Sequence, residues 1–295
     1  RVSVRKLLTG MIVAGGNDAA RALAEGLAGS RDSFVRRMNR RAEALGLDNT
    51  HFANPSGLPA PGSHTTAADM AQLARILVQR FPERAALFRT ESIRHNGITQ
   101  HNGNRLLGWL PGVDGLLTGF SEAAGYHLVT TAHRDSQTLI GVLLGAPSSD
   151  TRFGDMQALI NHGFRFYDSR TLFTGDPILH RPTVWQGTQD KVALELEEPI
   201  RLTLPSHRDH EVSARAEIKK PVTAPIKAGE TLGWLHITLG DQHLRHQPLV
   251  ARQAVPAAGW IDQALDSLQL QWQTFWREQR QKVLANNDKP REQSP

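Results

Sequence analysis

The 295-residue sequence contains no cysteine. That absence excludes a disulfide framework, thiolate catalysis and thiolate-bound zinc, and it is compatible with reducing and oxidising compartments alike. An initiator Met and an apolar leader are also missing. The chain opens at Arg1 and runs at once into Val2, Val4, Leu7 and Leu8, so an N-terminal segment is expected upstream. No run approaches the roughly 18 apolar residues that a spanning helix needs. There is no Gly-x-Gly-x-x-Gly, no P-loop and no Gly-x-Ser-x-Gly elbow, which leaves nucleotide binding and ordinary hydrolase chemistry without support. Nor do two carboxylates single themselves out as a glycosidase pair. His243-Leu-Arg-His246 and the scattered His95, His101, His127 and His133 supply no spaced third ligand, so neither metal nor cofactor is expected.

What is present is ordinary globular composition, 39% hydrophobic and 21% charged, with a net charge of +5. The densest basic cluster is Arg36, Arg37, Arg40 and Arg41. Their spacing fits one solvated helix face, and no aromatic stacking platform accompanies them, so no nucleic-acid partner is expected.

Apolar spacing predicts a helix from Val4 to Leu27, interrupted by a Gly15-Gly16-Asn17 turn, and a second from about Ser30 through Phe34, Val35, Met38 and Leu45 to Gly46. The stretch 54–63 carries three prolines and two glycines and reads as a rigid loop. Thr66-Ala67-Ala68-Asp69 has capping-box character and launches the next helix. Short strands are expected at Ile93, at Leu106-Leu107, and as an apolar hairpin over 127–132 and 138–144, turning at His133–Gln137. A helix over 150–166 completes an α+β domain spanning residues 1–167.

Beyond Asp176-Pro177 the period becomes two: Val192, Leu194, Leu196; Ile200, Leu202, Leu204; Val212 to Ile218; Leu235, Ile237, Leu239. Residues 177–252 therefore read as a small all-β sandwich. In the tail, 258–284, Trp260, Ile261, Leu265, Leu268, Trp272, Phe275 and Trp276 recur at helical spacing. An aromatic-rich amphipathic helix of that kind suits a membrane surface.

Several phrases stand in fixed order: Val13-Ala14-Gly15-Gly16-Asn17-Asp18-Ala19; Leu45-Gly46-Leu47-x-Asn49-Thr50-x-Phe52; Gly57-Leu58 through Gly62 to Thr65-Thr66-Ala67-x-Asp69-Met70-Ala71; Asn102-x-Asn104-Arg105-Leu106-Leu107; and Val113-Asp114-Gly115-x-x-Thr118-Gly119 before Ala124-Gly125-Tyr126. Together they resemble the D-alanyl-D-alanine carboxypeptidases, the low-molecular-mass penicillin-binding proteins, over nearly the whole chain. The resemblance implies a transpeptidase-like domain in which Ser-x-x-Lys, Ser-x-Asn and Lys-Thr-Gly meet between helices and a sheet edge. It implies a serine nucleophile, a lysine base, and hydrolysis of the terminal D-Ala of peptidoglycan pentapeptide. The implied partners are muropeptide and β-lactams, and the implied location is the periplasmic face of the bacterial cytoplasmic membrane.

Carried over residue by residue, the match fails at the chemistry. Ser-x-x-Lys would fall before Arg1. The Ser-x-Asn position reads Gly15-Gly16-Asn17, which keeps the amide of Asn17 and loses the hydroxyl. The Lys-Thr-Gly position reads Leu117-Thr118-Gly119, with an isobutyl group in place of the ammonium. Thr118 would offer a hydroxyl to a substrate carboxylate, Gly119 would allow close approach, Arg105 could add positive charge, and Asp114 would order the turn before the strand. The chain as given is therefore expected to be catalytically incompetent, with a muropeptide-binding pseudoenzyme or a membrane-tethered envelope protein as alternatives.

Overall fold

A computed structural model describes residues 2–173 and 178–259. The chain divides into two compact units, Arg1–Asp168 and Ser169 onward.

The first unit begins with three helices, α1 (Val4–Ala14), α2 (Asn17–Ala28) and α3 (Arg31–Ala44). The Ser3 hydroxyl caps α1 by accepting from the Lys6 amide, and Ser30 caps α3 through the Ser33 amide. The expected interruption separates α1 from α2. Gly15 adopts φ 62, a left-handed conformation that terminates the helix and that glycine reaches without Cβ strain. Arg36, Arg37, Arg40 and Arg41 are all exposed on α3.

Helix α4 (Ala67–Arg80) starts where the Thr66 hydroxyl accepts from the Asp69 amide. The box does not close reciprocally. The buried Asp69 carboxylate instead accepts from the Asn49 amide at 3.0 Å and the Thr50 hydroxyl at 2.6 Å, so this phrase ties the helix to the preceding loop. Asn39 does similar work on α3, holding both Phe52 O and the Phe52 amide.

After α5 (Pro82–Ala85) and a 3₁₀ turn (Ala86–Arg89) comes a two-stranded ribbon, β1 (Ser92–His95) with β2 (Ile98–His101). The main sheet of the unit is antiparallel, in the order β3 (Val113–Ser121), β4 (Gly125–Arg134), β5 (Gln137–Ala146). Asp135, with φ 50, makes the tight turn between β4 and β5. Leu106-Leu107, expected as a strand, lies in a succession of turns instead. Leu106 is buried in the core with Leu128, Met156 and Ile160, so its apolarity reports packing and not extension.

Helix α6 (Ser149–Phe166), capped by Ser148, covers one face of the sheet. The approach is close. A Cβ on Gly141 would run into Met156 Sδ and Ile160, and one on Gly163 into Leu139.

The second unit is β-rich. Strands β6 (Tyr167–Phe173) and β9 (Ile200–Pro205) pair with each other, as do β7 (Val184–Trp185) and β11 (Val222–Thr223). A four-stranded sheet runs β10 (Val212–Ile218), β12 (Thr231–Leu239), β13 (Gln242–Ala251), β8 (Leu194–Glu195). Val192, Leu194, Ile200, Leu235, Ile237, Leu249 and Val255 share one buried core. That core is the reason for the period-two pattern: alternate residues face inward. No helix among the described residues is long and apolar enough to cross a membrane. The stripe from Trp260 to Trp276 lies outside the described residues.

Candidate functional site

Strand β3 is an edge of the main sheet and carries Leu117, Thr118 and Gly119. Alternation along the strand puts Leu117 and Gly119 on one face and Thr118 on the other. Leu117 is 38% exposed, an isobutyl group presented to solvent on a strand edge.

The approach to β3 is built by two asparagines. Asn102 donates to Thr90 O at 3.0 Å and accepts from the Asn104 amide at 2.9 Å. Asn104, 1% exposed, donates to Gly115 O at 3.2 Å and accepts from the Leu106 amide at 3.1 Å. The 102–106 segment is thereby fastened to the start of the motif strand. Gly103 lies so close to the Thr118 hydroxyl that a Cβ there would collide with it. Asp114 has a different role from the turn-ordering one expected. Its carboxylate pairs with Arg89 at 2.8 Å and accepts from the Thr131 hydroxyl, bonding the 3₁₀ turn to the sheet.

From the other side comes a residue that sequence reasoning did not single out. Arg152, in the first turn of α6, is 7% exposed. Its guanidinium donates to Gly119 O and His127 O, both at 3.3 Å, and to the Ser149 hydroxyl at 3.3 Å. It lies over the rings of Phe153 at 4.5 Å and Tyr126 at 5.3 Å, contacts favourable for a cation. Its Nε is buried without a hydrogen-bond partner. Among the described residues no carboxylate lies in ion-pair range of it. Asp150, two residues before, pairs instead with Arg105 at 3.5 Å. That pair is largely solvent-exposed and contributes little.

The result is a concentration of positive charge behind the Thr118-Gly119 end of β3. Burial, and then the neighbouring Arg105, hold the Arg152 guanidinium below its ordinary pKa, while Tyr126 opposes the shift. His127, the cross-strand partner of Gly119, is also lowered, first by burial and then by Arg152. The Gly145 amide donates to His127 Nδ1 at 3.0 Å, which leaves Nε2 to carry the proton in the neutral ring. A site of this kind favours an anion: the cation is desolvated, fixed, and lacks a protein counter-charge.

The structure thus brings Gly119 and Arg105 to Arg152, with Thr118 next to Gly119 on the same strand. Asn17 is exposed at the first position of α2, and no hydrogen bond or ion pair joins it to the β3 group. Gly15 faces solvent with open space around it. As the side chains stand, no group of three or more His, Asp or Glu among the described residues could hold a metal ion.

Comparison with known proteins places these features. A family model described as D-alanyl-D-alanine carboxypeptidase matches residues 1–148, and one described as penicillin-binding protein 5, C-terminal domain, matches residues 167–257. The chain is 36% identical to D-alanyl-D-alanine carboxypeptidase DacC of Escherichia coli, over 94% of this chain and 70% of that protein. It is 32% identical to DacF of Bacillus subtilis, over 88% and 68%. Penicillin-binding protein 5 from Haemophilus influenzae superposes with a TM-score of 0.79 at 31% identity, covering 86% of this chain and 75% of that one. Penicillin-binding protein D2 from Listeria monocytogenes, in its ampicillin-bound form, gives 0.52 at 34% identity, over 55% and 68%.

Proposed function

The chain belongs to the D-alanyl-D-alanine carboxypeptidase family, and we propose that within it this chain recognises the D-Ala-D-Ala terminus of a peptidoglycan stem peptide without hydrolysing it. The observation that carries the reading is Arg152: a buried guanidinium with no carboxylate partner, held on the carbonyl of Gly119 beside Thr118. The C-terminal carboxylate of the peptide supplies the missing counter-charge, and the Thr118 hydroxyl a second hydrogen bond. Asn17 offers its exposed amide to the peptide backbone.

The same site is poor in proton-handling groups. Leu117 stands where the family has an ammonium, and Gly15 where it has a hydroxyl, so neither position can relay a proton or stabilise a developing charge. Recognition and chemistry separate along that line. The ampicillin-bound Listeria protein supports β-lactams as further ligands, which carry a carboxylate of their own.

Calorimetric titration with an N-acyl-L-Lys-D-Ala-D-Ala peptide tests the reading. Converting the terminal carboxylate to a carboxamide, or Arg152 to Gln, is expected to weaken binding about 10- to 150-fold, the equivalent of one charge-assisted hydrogen bond of about 1.5–3 kcal/mol. Equal affinity for carboxylate and carboxamide would overturn it.

A cell-wall ligand supports a location at the outer face of the bacterial cytoplasmic membrane. The aromatic stripe Trp260, Ile261, Leu265, Leu268, Trp272, Phe275 and Trp276 supports attachment to that surface by its composition. Flotation with anionic liposomes tests this, and a Trp272→Ser, Trp276→Ser double variant that floats as well as the parent would sink it.

A further inference from the structure

The outer face of the four-stranded sheet in the second unit carries a group of side chains that peptide recognition does not use. His236 lies directly across from His246 in the β12–β13 register, and a bulge between Ile237 and Thr238 shifts the pairing next to His243. Their ring centroids are 6.1 Å (His236–His243), 6.4 Å (His236–His246) and 5.8 Å (His243–His246) apart, a nearly equilateral triangle. From β10, Glu217 places Oε2 3.1 Å from His236 Nε2. The geometry falls outside that of a hydrogen bond, and Nε2 is left buried without a hydrogen-bond partner.

We propose that His236, His243 and His246, with Glu217 as a fourth donor, form a binding site for one divalent transition ion of the zinc, nickel or copper type. A ring nitrogen bonded at about 2.0–2.1 Å puts the ion about 3.2 Å from the ring centroid, and the centre of the observed triangle is about 3.5 Å from each centroid. The spacing of the ring centroids therefore suits a shared ion. The donors do not converge as the side chains stand. His243 and His246 are exposed and free to rotate, a motion of picoseconds to nanoseconds for such side chains. Imidazole with one carboxylate matches the borderline-soft ions and not magnesium or calcium. Nε2 of His236 gains most, because it is buried beside the Glu217 carboxylate without a hydrogen bond, and coordination would satisfy it. Arg215, the register partner of His236, adds positive charge to the face. It opposes cation binding, so the expected affinity falls short of that of a structural zinc site.

The sequence shows only the His243-x-x-His246 pair. The third imidazole arrives from the neighbouring strand through sheet register, which linear spacing does not display.

Zinc chloride titrated into the full chain, free of any histidine tag, is expected to show one saturable site by calorimetry. His236→Ala and His246→Asn should each weaken it at least tenfold, while His95→Ala, on the separate β1–β2 ribbon, should leave it unchanged. A second readout avoids dependence on any one variant folding. The Trp234 indole meets the His246 ring edge-on at 5.3 Å, so copper should quench its fluorescence saturably, and the quenched component should be missing from Trp234→Phe. No saturable zinc binding, or binding that survives both histidine variants in chains of native circular dichroism, would overturn the proposal.

Discussion

Replacing Asn104 by alanine should destabilise the first unit by about 2–4 kcal/mol, a large loss for a polar residue. The side chain is 1% exposed and makes three contacts: Nδ2 to Gly115 O at 3.2 Å, Nδ2 to the Thr130 hydroxyl at 3.4 Å, and Oδ1 from the Leu106 amide at 3.1 Å. Gly115 O keeps the Thr130 hydroxyl as a donor, so it contributes little to the loss. The Leu106 N–H, at a residue itself 1% exposed, keeps no partner, and a buried unsatisfied group costs about 1–3 kcal/mol. The missing amide adds a void of about three heavy atoms between the 102–106 segment and β3, at roughly 24 cal/mol per Å³ left unfilled. Hydrogen exchange by mass spectrometry, read on peptides covering 104–121 and 125–146, should accelerate about 30- to 1000-fold under conditions where exchange follows opening equilibria. Asn104→Asp keeps an acceptor for Leu106 but faces Gly115 O with a buried charge, and should be no better than alanine. A change under about 0.5 kcal/mol for Asn104→Ala, near the size of an ordinary surface substitution, would refute this account of how β3 is held.

Gly15→Ser should cost about 1–2 kcal/mol in thermal or urea unfolding, because Gly15 sits at φ 62 even though the space around it is open; no loss would mean the α1–α2 break adapts freely. Leu117→Lys, on a 38%-exposed strand-edge position, should change stability by no more than about 0.5 kcal/mol. Gly141→Ala should destabilise by about 1–3 kcal/mol, because the new methyl meets Met156 Sδ and Ile160 where α6 packs on β5. His127 should titrate below the ordinary imidazole value of about 6.5 by NMR, and Arg152→Gln should raise it only in part, since burial is the larger cause. The folded state disfavours the proton that the unfolded chain accepts, so this group removes stability as pH falls through the ordinary imidazole range. A midpoint above the ordinary value would reverse that sign.

Elements whose apolar residues follow one period over a full turn or strand were legible. The β4–β5 hairpin, the α6 segment and the Gly15 break all appear where the pattern puts them, because one neighbouring layer dictates their burial. Leu106-Leu107 was misread because two adjacent leucines buried in turns look like a strand when the pattern is too short to show a period. Strand β13 was missed for the opposite reason. Its first half, Gln242 to His246, is mostly polar and exposed, and Pro248 falls inside it. The phrases that identified the family prove to be largely structural: Asp69, Asn102 and Asn104 each bond backbone groups across a loop. Arg152 carried no signal, being one arginine at a helix start. Its meaning depends on burial and on the carbonyls of Gly119 and His127, which only folding brings to it.

The central claim is that recognition persists where turnover does not, and one NMR time course reads both. The full chain is mixed with N-acyl-L-Lys-D-Ala-D-Ala, and the terminal alanine methyl is followed. The account predicts saturable broadening of that methyl with no free D-Ala signal above a protein-free control. Free D-Ala accumulating with time would contradict it, because it would show that Gly15 and Leu117 leave the hydrolytic chemistry intact.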